Sequence, residues 1–379
     1  MKNTFIDLYK LSIDTETTHR LSLKASVLFL FFLCFSFKSF STDKDSTQLK
    51  VGVLPVVFYA PETHLGFGGL LYTNFYTVRD DSNTKKSTTQ TYLDYTTNNQ
   101  LLFQNDYTVY TSQNKYLLKG KIDYVHFPEF YFGLGNETQI ENKSLIDFNS
   151  FLLASGFYRL IKKKLYTGLL IQQHNLWMLD ETLMSFDQNR KVYGDMGYNY
   201  TGIGIGVLYD HRNNPLNPSK GYYIELNALS YYDHSKSNGS LKTVMIDARY
   251  YHTFFKKLVW NINLIGAFNQ GNVPFRMMPA IGGPRFLRGY YQGRFRDNNL
   301  MIVQQEFRYP LFWRLGIAFF TGIGQVAQEV GNFDTKHYHY NYGLGLRFVI
   351  DRKENVNVRF DYGFTEDSQG MYIVFAEAF

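Results

Sequence analysis

The sequence is poor in cysteine and has no long apolar run after residue 40. Its one cysteine is Cys34, so the chain cannot close an intramolecular disulfide. After residue 40 no apolar stretch reaches the roughly 20 residues that a membrane-spanning helix needs, which excludes a helical membrane protein. The formal net charge is only +6 over 379 residues, and this argues against nucleic acid as a partner.

Motifs for catalysis and cofactors are also absent. We find no zinc-peptidase pattern, nucleophile elbow or phosphate loop. The run "GIGIGV" at 202–207 does not have the spacing of a dinucleotide motif, and His337 and His339 have no evident third metal ligand. The sequence therefore predicts no enzyme activity, no cofactor and no metal.

The first forty residues differ from the remainder. The uncharged run "ASVLFLFFLCFSF" lies between Lys24 and Lys38, and basic residues precede it. It is too short to span a bilayer and has the length and flanks of a signal-peptide core. We predict a signal peptide at 1–40 and a single mature domain at 41–379. The signal peptide carries five Lys or Arg residues and three acids, so its removal lowers the formal charge from +6 to +4.

In the mature chain, apolar or aromatic residues alternate with polar ones along many segments. In "VNVRFDYGF" at 356–364, apolar and aromatic residues occupy every second position, with Asn357, Arg359 and Asp361 between them. Successive side chains of a strand point to opposite faces, so one face is wholly apolar. Such segments run ten to fifteen residues with Tyr and Phe near their ends, as in strands that face lipid. A soluble sandwich or propeller is the alternative.

Sixteen such segments can be counted, and we predict an all-β fold, a transmembrane antiparallel β-barrel. The segments are 49–59, 65–78, 88–97, 100–110, 113–126, 144–160, 164–178, 199–211, 219–233, 241–255, 257–270, 299–310, 314–327, 337–350, 354–363 and 370–379. Long connections alternate with short ones, and in outer-membrane barrels the long loops are extracellular and the short turns periplasmic. The first and last strands then begin and end on the side of the short turns, so both termini are predicted to be periplasmic. The last strand is expected to end on Phe379, with Glu377 as an irregularity on its apolar face.

Four segments resemble the BamA/TamA superfamily of outer-membrane assembly factors. The motif Leu287-Arg288-Gly289-Tyr290 is similar to the family's Arg-Gly loop motif, between predicted strands 11 and 12. The stretch 209–223 is similar to a strand-turn-strand signature, and 127–138 and 304–311 are similar to a further loop and strand. The signature residues are Asp210, Arg212, Pro218 and Gly221.

The resemblance covers the barrel alone, so we predict a member without the family's periplasmic POTRA domains. It implies that the long loop enters the lumen and that Arg288 pairs with acids on the wall. Because a buried guanidinium needs a carboxylate, Glu306 is the first candidate partner, and Asp361 and Phe320 are the others. The family's Asp on strand 13 is replaced here by Gly322. The alternative is a solvated surface loop.

The resemblance also implies a function centred on the seam between the first and last strands. Gly52 and Pro55 lie in strand 1, and a proline cannot donate a ladder hydrogen bond. We therefore name Gly52, Pro55 and Phe379 as candidate seam residues, although a strand kink without a gating role is an equal alternative.

The leading hypothesis is an outer-membrane barrel that inserts or translocates protein, or lipid. Its expected partners are outer-membrane lipids, unfolded outer-membrane or exported proteins, periplasmic chaperones and other outer-membrane complex subunits. The alternatives are a structural or passive-channel barrel, or an accessory subunit. A barrel-embedded lipid hydrolase is a third class.

Overall fold

The computed structural model describes residues 49–78, 83–178, 192–234, 240–352 and 356–379. The predicted signal peptide at 1–40 lies outside the described residues and stays a prediction. The described residues form strands, their connections and three short 3₁₀ turns, with no separate periplasmic domain among them. No helix within these ranges has the length and apolar character needed to cross a bilayer.

Sixteen strands form the wall of the molecule. They are β1 (Leu49–Ala60), β2 (His64–Phe75), β3 (Ser87–Thr96), β4 (Leu101–Tyr110), β5 (Tyr116–His126), β6 (Phe148–Lys162), β7 (Leu165–Met178), β8 (Tyr198–Asp210), β9 (Gly221–Asp233), β10 (Ser240–Phe254), β11 (Leu258–Gly271), β12 (Asn299–Pro310), β13 (Leu315–Ala327), β14 (His339–Asp351), β15 (Val356–Phe364) and β16 (Gln369–Phe375). Each pairs antiparallel with its neighbours in sequence, and β1 meets β16 to close the barrel. The predicted fold class and strand number are confirmed.

One predicted strand is two elements. The segment 144–160 was expected to be continuous, but Ser144–Ile146 pairs with Glu129–Tyr131 in a small hairpin outside the barrel sheet, and β6 begins at Phe148. The physical reason is that the neighbouring strand β5 ends at His126, which pairs with Asn149. Residues 144–146 therefore find their backbone partners in the hairpin.

The strands separate an apolar outer surface from a polar interior. On β8, Ile203 and Ile205 are 66% and 63% exposed, whereas the alternating glycines at 202, 204 and 206 face tyrosine, leucine and asparagine side chains inside. On β11 the inward Asn261 and Asn263 are buried. An apolar exterior around a polar interior is the arrangement of membrane-spanning barrels.

The connections fall into two groups. The end at which β1 begins carries seven connections, here called the turn rim: 76–86, 111–115, 163–164, 211–220, 255–257, 311–314 and 352–355. The opposite end carries eight, here called the loop rim: 61–63, 97–100, 127–147, 179–197, 234–239, 272–298, 328–338 and 365–368. The longest, 272–298, is called the arginine loop below. It contains a second small hairpin, in which Ala280–Ile281 pairs with Phe295–Arg296.

Candidate functional site in the barrel wall and at its seam

The arginine loop runs directly against the wall at Arg288 and Gly289. A Cβ added to Gly363 of β15 would lie 2.3 Å from the Arg288 carbonyl oxygen, so only glycine permits this approach. Gly289 has φ +122°, a conformation that L side chains rarely adopt, and a Cβ there would lie 2.7 Å from Thr365 Cγ2. The Arg-Gly pair thus lies where the loop backbone comes into close contact with the backbone of β15.

The Arg288 side chain is only 1% exposed and has three partners in the wall. Its Nη2 donates to Glu306 Oε2 of β12 at 2.7 Å, and its Nη1 donates to Asp361 Oδ2 of β15 at 2.5 Å. The guanidinium lies 3.5 Å from the ring centroid of Phe320 on β13. Burial alone would lower the pKa of Arg288, but Asp361 and Glu306 raise it, so the side chain stays charged.

The rest of the motif is held by hydrogen bonds and packing. Gly289 N–H donates to the Tyr372 hydroxyl at 3.0 Å, and Asn341 Nδ2 donates to the Arg288 carbonyl at 2.7 Å. The Tyr290 hydroxyl donates to the Tyr340 carbonyl at 3.3 Å. These partners lie on β14 and β16, so the motif touches every strand from β12 to β16.

Leu287 takes the space beside Gly322, the position at which the resemblance implies an acid. It is fully buried, and its Cδ2 would lie 2.6 Å from a Cβ placed on Gly322. An aspartate at position 322 would therefore collide with Leu287. The second carboxylate at Arg288 comes instead from Asp361, two strands further along.

Arg288 belongs to a larger ionic cluster of four guanidinium groups and three carboxylates, all buried. Its members are Arg288, Arg308, Arg347, Arg359, Glu306, Asp361 and Glu377. Arg347 is the central member, since it donates to Asp361 at 2.6 Å, Glu377 at 2.9 Å and Glu306 at 3.1 Å. Sequence reasoning missed Arg308, Arg347, Arg359 and Glu377 as members. For the three arginines, the inward parity of their positions on β12, β14 and β15 was the available signal.

The prediction that the last strand ends on Phe379 is wrong. β16 ends at Phe375, and Ala376 adopts φ +62° while its N–H still donates to the Asn357 carbonyl of β15; residues 377–379 then leave the sheet. Glu377 turns inward, where it accepts hydrogen bonds from Arg347 and from Asn357 Nδ2 at 2.6 Å. The physical reason is its carboxylate: a continued strand would place Glu377 on the lipid face, where a charge is costly. Phe379 is buried, 4% exposed.

The seam between β1 and β16 is short. The two strands share one residue pair, Tyr59 with Ile373, whereas β15 and β16 share the run from Val358 to Phe364. Gly52 and Pro55 pair only with β2 among the described residues, opposite Tyr72 and Gly69. Within the described ranges, the β16-facing edge of β1 beside them has no strand partner, because the chain has turned away at Ala376.

The remaining arginines of the loop bind other parts of the loop rim. Arg276 Nη1 donates to both carboxylate oxygens of the buried Glu129, at 2.8 and 3.0 Å, and Arg296 Nη2 donates to the same carboxylate at 3.4 Å. Arg294 donates to Thr138 Oγ1 at 2.7 Å. Arg285 is the exception, since its side chain is 53% exposed while it contacts Asp247 at 3.3 Å. Most of the arginines in this loop therefore bind groups on the barrel wall or the loop rim and hold the loop in position.

The strand-turn-strand signature forms a compact unit at the turn rim. Arg212 donates to both oxygens of Asp210, at 3.0 and 2.9 Å. Gly221 has φ +108°, and a Cβ there would lie 2.0 Å from the His211 carbonyl oxygen. The Pro218 carbonyl accepts a hydrogen bond from Arg308. Arg308 therefore joins this turn to the ionic cluster.

One buried acid at the loop rim does not belong to the cluster. Glu62, in the turn between β1 and β2, is 2% exposed, and its Oε2 has no hydrogen-bond partner in the described part of the chain. Burial raises the pKa of Glu62 to about 7, and the nearby Glu129 adds to the increase. This carboxyl adjoins the one paired part of the seam, because Tyr59 lies three residues before it.

The closed sixteen-strand sheet, the apolar exterior and the ionic cluster define a membrane-spanning β-barrel with a fastened loop. The chain belongs to the Omp85 superfamily, whose domain matches residues 39–375, and it is an outer-membrane β-barrel of that family. No curated protein matches the sequence significantly.

Solved structures share the fold at low sequence identity. BamA from Haemophilus ducreyi lacking POTRA domains 1–3 is 12% identical with a TM-score of 0.57, covering 95% of this chain and 78% of that one. CdiB from Escherichia coli is 10% identical with a TM-score of 0.54, covering 89% and 67%. CdiB from Acinetobacter baumannii is 12% identical with a TM-score of 0.52, covering 86% of this chain and 60% of that one.

Proposed function

We propose that this barrel inserts or translocates polypeptide at the bacterial outer membrane through the seam between β1 and β16. The observation that carries the proposal is the single residue pair joining these strands. An unpaired strand edge exposes backbone N–H and C=O groups that another strand can satisfy by edge pairing. In a bilayer such groups have no water to bind, so an incoming client strand would be stabilised there.

The ionic cluster supports the proposal because it joins the arginine loop to the seam. Arg347 contacts Glu306 and Asp361, the two partners of Arg288, and it also contacts Glu377 of the C-terminal tail. The cluster therefore holds both the loop and the tail, whose departure leaves most of the β16-facing edge of β1 without a described partner strand. We infer that the loop lies in the lumen and acts as a lock on the seam, with Phe320 as the stacking partner of Arg288.

Partners follow from the same geometry. The client is an unfolded outer-membrane or exported protein that supplies a strand, and the outer-membrane lipids surround the barrel. With both termini periplasmic, the unpaired part of β1 opens toward the compartment from which clients arrive. Periplasmic chaperones or other complex subunits would deliver them, since no POTRA domain occurs among the described residues.

A reversible disulfide across the seam tests the proposal. Cys34 lies in the predicted signal peptide, so a mature chain with Tyr59→Cys and Ile373→Cys would contain only the new pair. These positions are directly opposite each other. We expect oxidised protein in liposomes to lose its acceleration of outer-membrane protein insertion, and reduction to restore it.

The control is a cysteine pair at Leu346 and Phe360, which face each other between β14 and β15. Its oxidation should leave insertion unchanged, because that edge is already paired. If the oxidised seam variant stays as active as the reduced one, the seam is not the route. If the unmodified barrel accelerates nothing, a passive-channel, structural or accessory role is supported instead.

A further inference from the structure

The two rims of the barrel carry opposite charge. Among the described residues, the turn rim contains no acid and eleven basic residues: Lys85, Lys86, Lys115, Lys163, Lys164, Arg212, Lys220, Lys256, Lys257, Arg314 and Arg352. The described part of the loop rim contains seven basic residues and eleven acids by the same count. Every one of the seven connections of the turn rim has at least one Lys or Arg, so the positive charge surrounds the barrel.

Exposed aromatic side chains accompany this charge. Phe255 is 92% exposed beside the exposed Lys256 and Lys257. Trp313 and Phe312 are 71% and 68% exposed in the next turn along the rim. The two turns are neighbours because β11 pairs with β12, with Val259 opposite Arg308.

We infer that the turn rim is a binding surface for the headgroup layer of an anionic phospholipid leaflet. Aromatic rings favour the membrane interface, and lysine ammonium groups beside them reach the phosphates. Anionic headgroups attract basic segments with about 1 kcal/mol per Lys or Arg at the surface, or roughly fivefold in affinity. A soluble acidic partner would cover one side of the rim, whereas a leaflet contacts the whole circumference. The inference does not depend on the seam or on the arginine loop.

Lipid retention by the full-length folded protein in detergent tests the assignment. The protein is mixed with equal amounts of phosphatidylglycerol and phosphatidylcholine, free lipid is removed, and bound lipids are counted by mass spectrometry. We expect retention of phosphatidylglycerol to exceed that of phosphatidylcholine by about fivefold or more, and 0.5 M salt to reduce the excess.

Two matched triple variants locate the site. Lys163→Gln with Lys256→Gln and Lys257→Gln removes three exposed lysines from the turn rim. The control removes three exposed lysines at or near the loop rim, by Lys143→Gln, Lys242→Gln and Lys336→Gln. The turn-rim variant should lose most of the phosphatidylglycerol excess, and the control should keep it. Heat-modified mobility on gels shows that both variants are folded.

Three results would overturn the inference. The first is equal retention of the two lipids by the unmodified protein. The second is an equal loss in the two triple variants, since the site would then not be the turn rim. The third is displacement of phosphatidylglycerol by a soluble polyglutamate peptide at equal charge concentration, which would identify an acidic polypeptide as the partner.

Discussion

Removing a carboxylate from the ionic cluster should destabilise the barrel more than removing Arg288 itself. The cluster has four guanidinium groups and three carboxylates. Arg288→Met leaves three guanidinium groups and three carboxylates in the cluster. In Asp361→Asn four buried cations face two carboxylates, and Arg288, Arg347 and Arg359 all lose the same partner.

The magnitudes follow from these contacts. Arg288→Met loses two charge-assisted hydrogen bonds and the contact with Phe320, but it also removes a buried charge. We expect a net loss of about 2 kcal/mol in the free energy of unfolding. Asp361→Asn leaves uncompensated buried charge, which costs about 3–5 kcal/mol when a partner is removed.

Urea unfolding of the protein folded in lipid vesicles, followed by tryptophan fluorescence, measures both losses. Glu366→Gln is the control, because Glu366 is exposed at the loop rim, and its effect should stay within about 0.5 kcal/mol. A loss for Arg288→Met equal to or larger than that for Asp361→Asn would refute the reasoning, since the cluster would then not be short of negative charge.

Two further predictions concern positions around the cluster. Because the pKa of Glu62 is raised from 4.5 to about 7 in the folded state, stability should fall by up to about 3 kcal/mol as pH rises from 4.5 to above 7. Glu62→Gln should flatten that pH profile in urea titrations, and an unchanged profile would contradict the assignment. Gly322→Asp should cost about 2 kcal/mol through collision with Leu287. Gly331→Asp, where nothing lies within 4 Å of a Cβ, is the control, and equal stability of the two variants would contradict the steric argument.

Alternation along the chain was sufficient to predict the wall of the barrel. Side chains of a strand alternate between its two faces, so the sequence of each segment alone indicates which face contacts lipid. This is why sixteen strands could be counted, and why Glu306 and Asp361 could be placed on the inner face of β12 and β15. Local signals of this kind need no knowledge of distant residues.

Alternation misled at one end of each of two segments, the start of 144–160 and the end of 370–379. Residues 144–146 alternate like a strand, but they pair with 129–131 because the adjacent barrel strand has already ended. Apolar residues also alternate through the final residues, except that Glu377 occupies a position on the apolar face. Alternation could not predict where the Glu377 carboxylate lies, because its position depends on a hydrogen bond from Arg347, thirty residues away.

The sequence by itself thus determined the class of fold, the strand number, the inward face of each strand and the glycines that the Arg-Gly motif requires. Only the tertiary structure decided how four arginines share three acids, that Leu287 fills the place beside Gly322, and that the tail leaves β1 with one paired residue at the seam. The physical reason is range. Side-chain periodicity is a property of neighbouring residues, whereas charge balance and barrel closure are set by groups that meet only after the whole sheet has curved round.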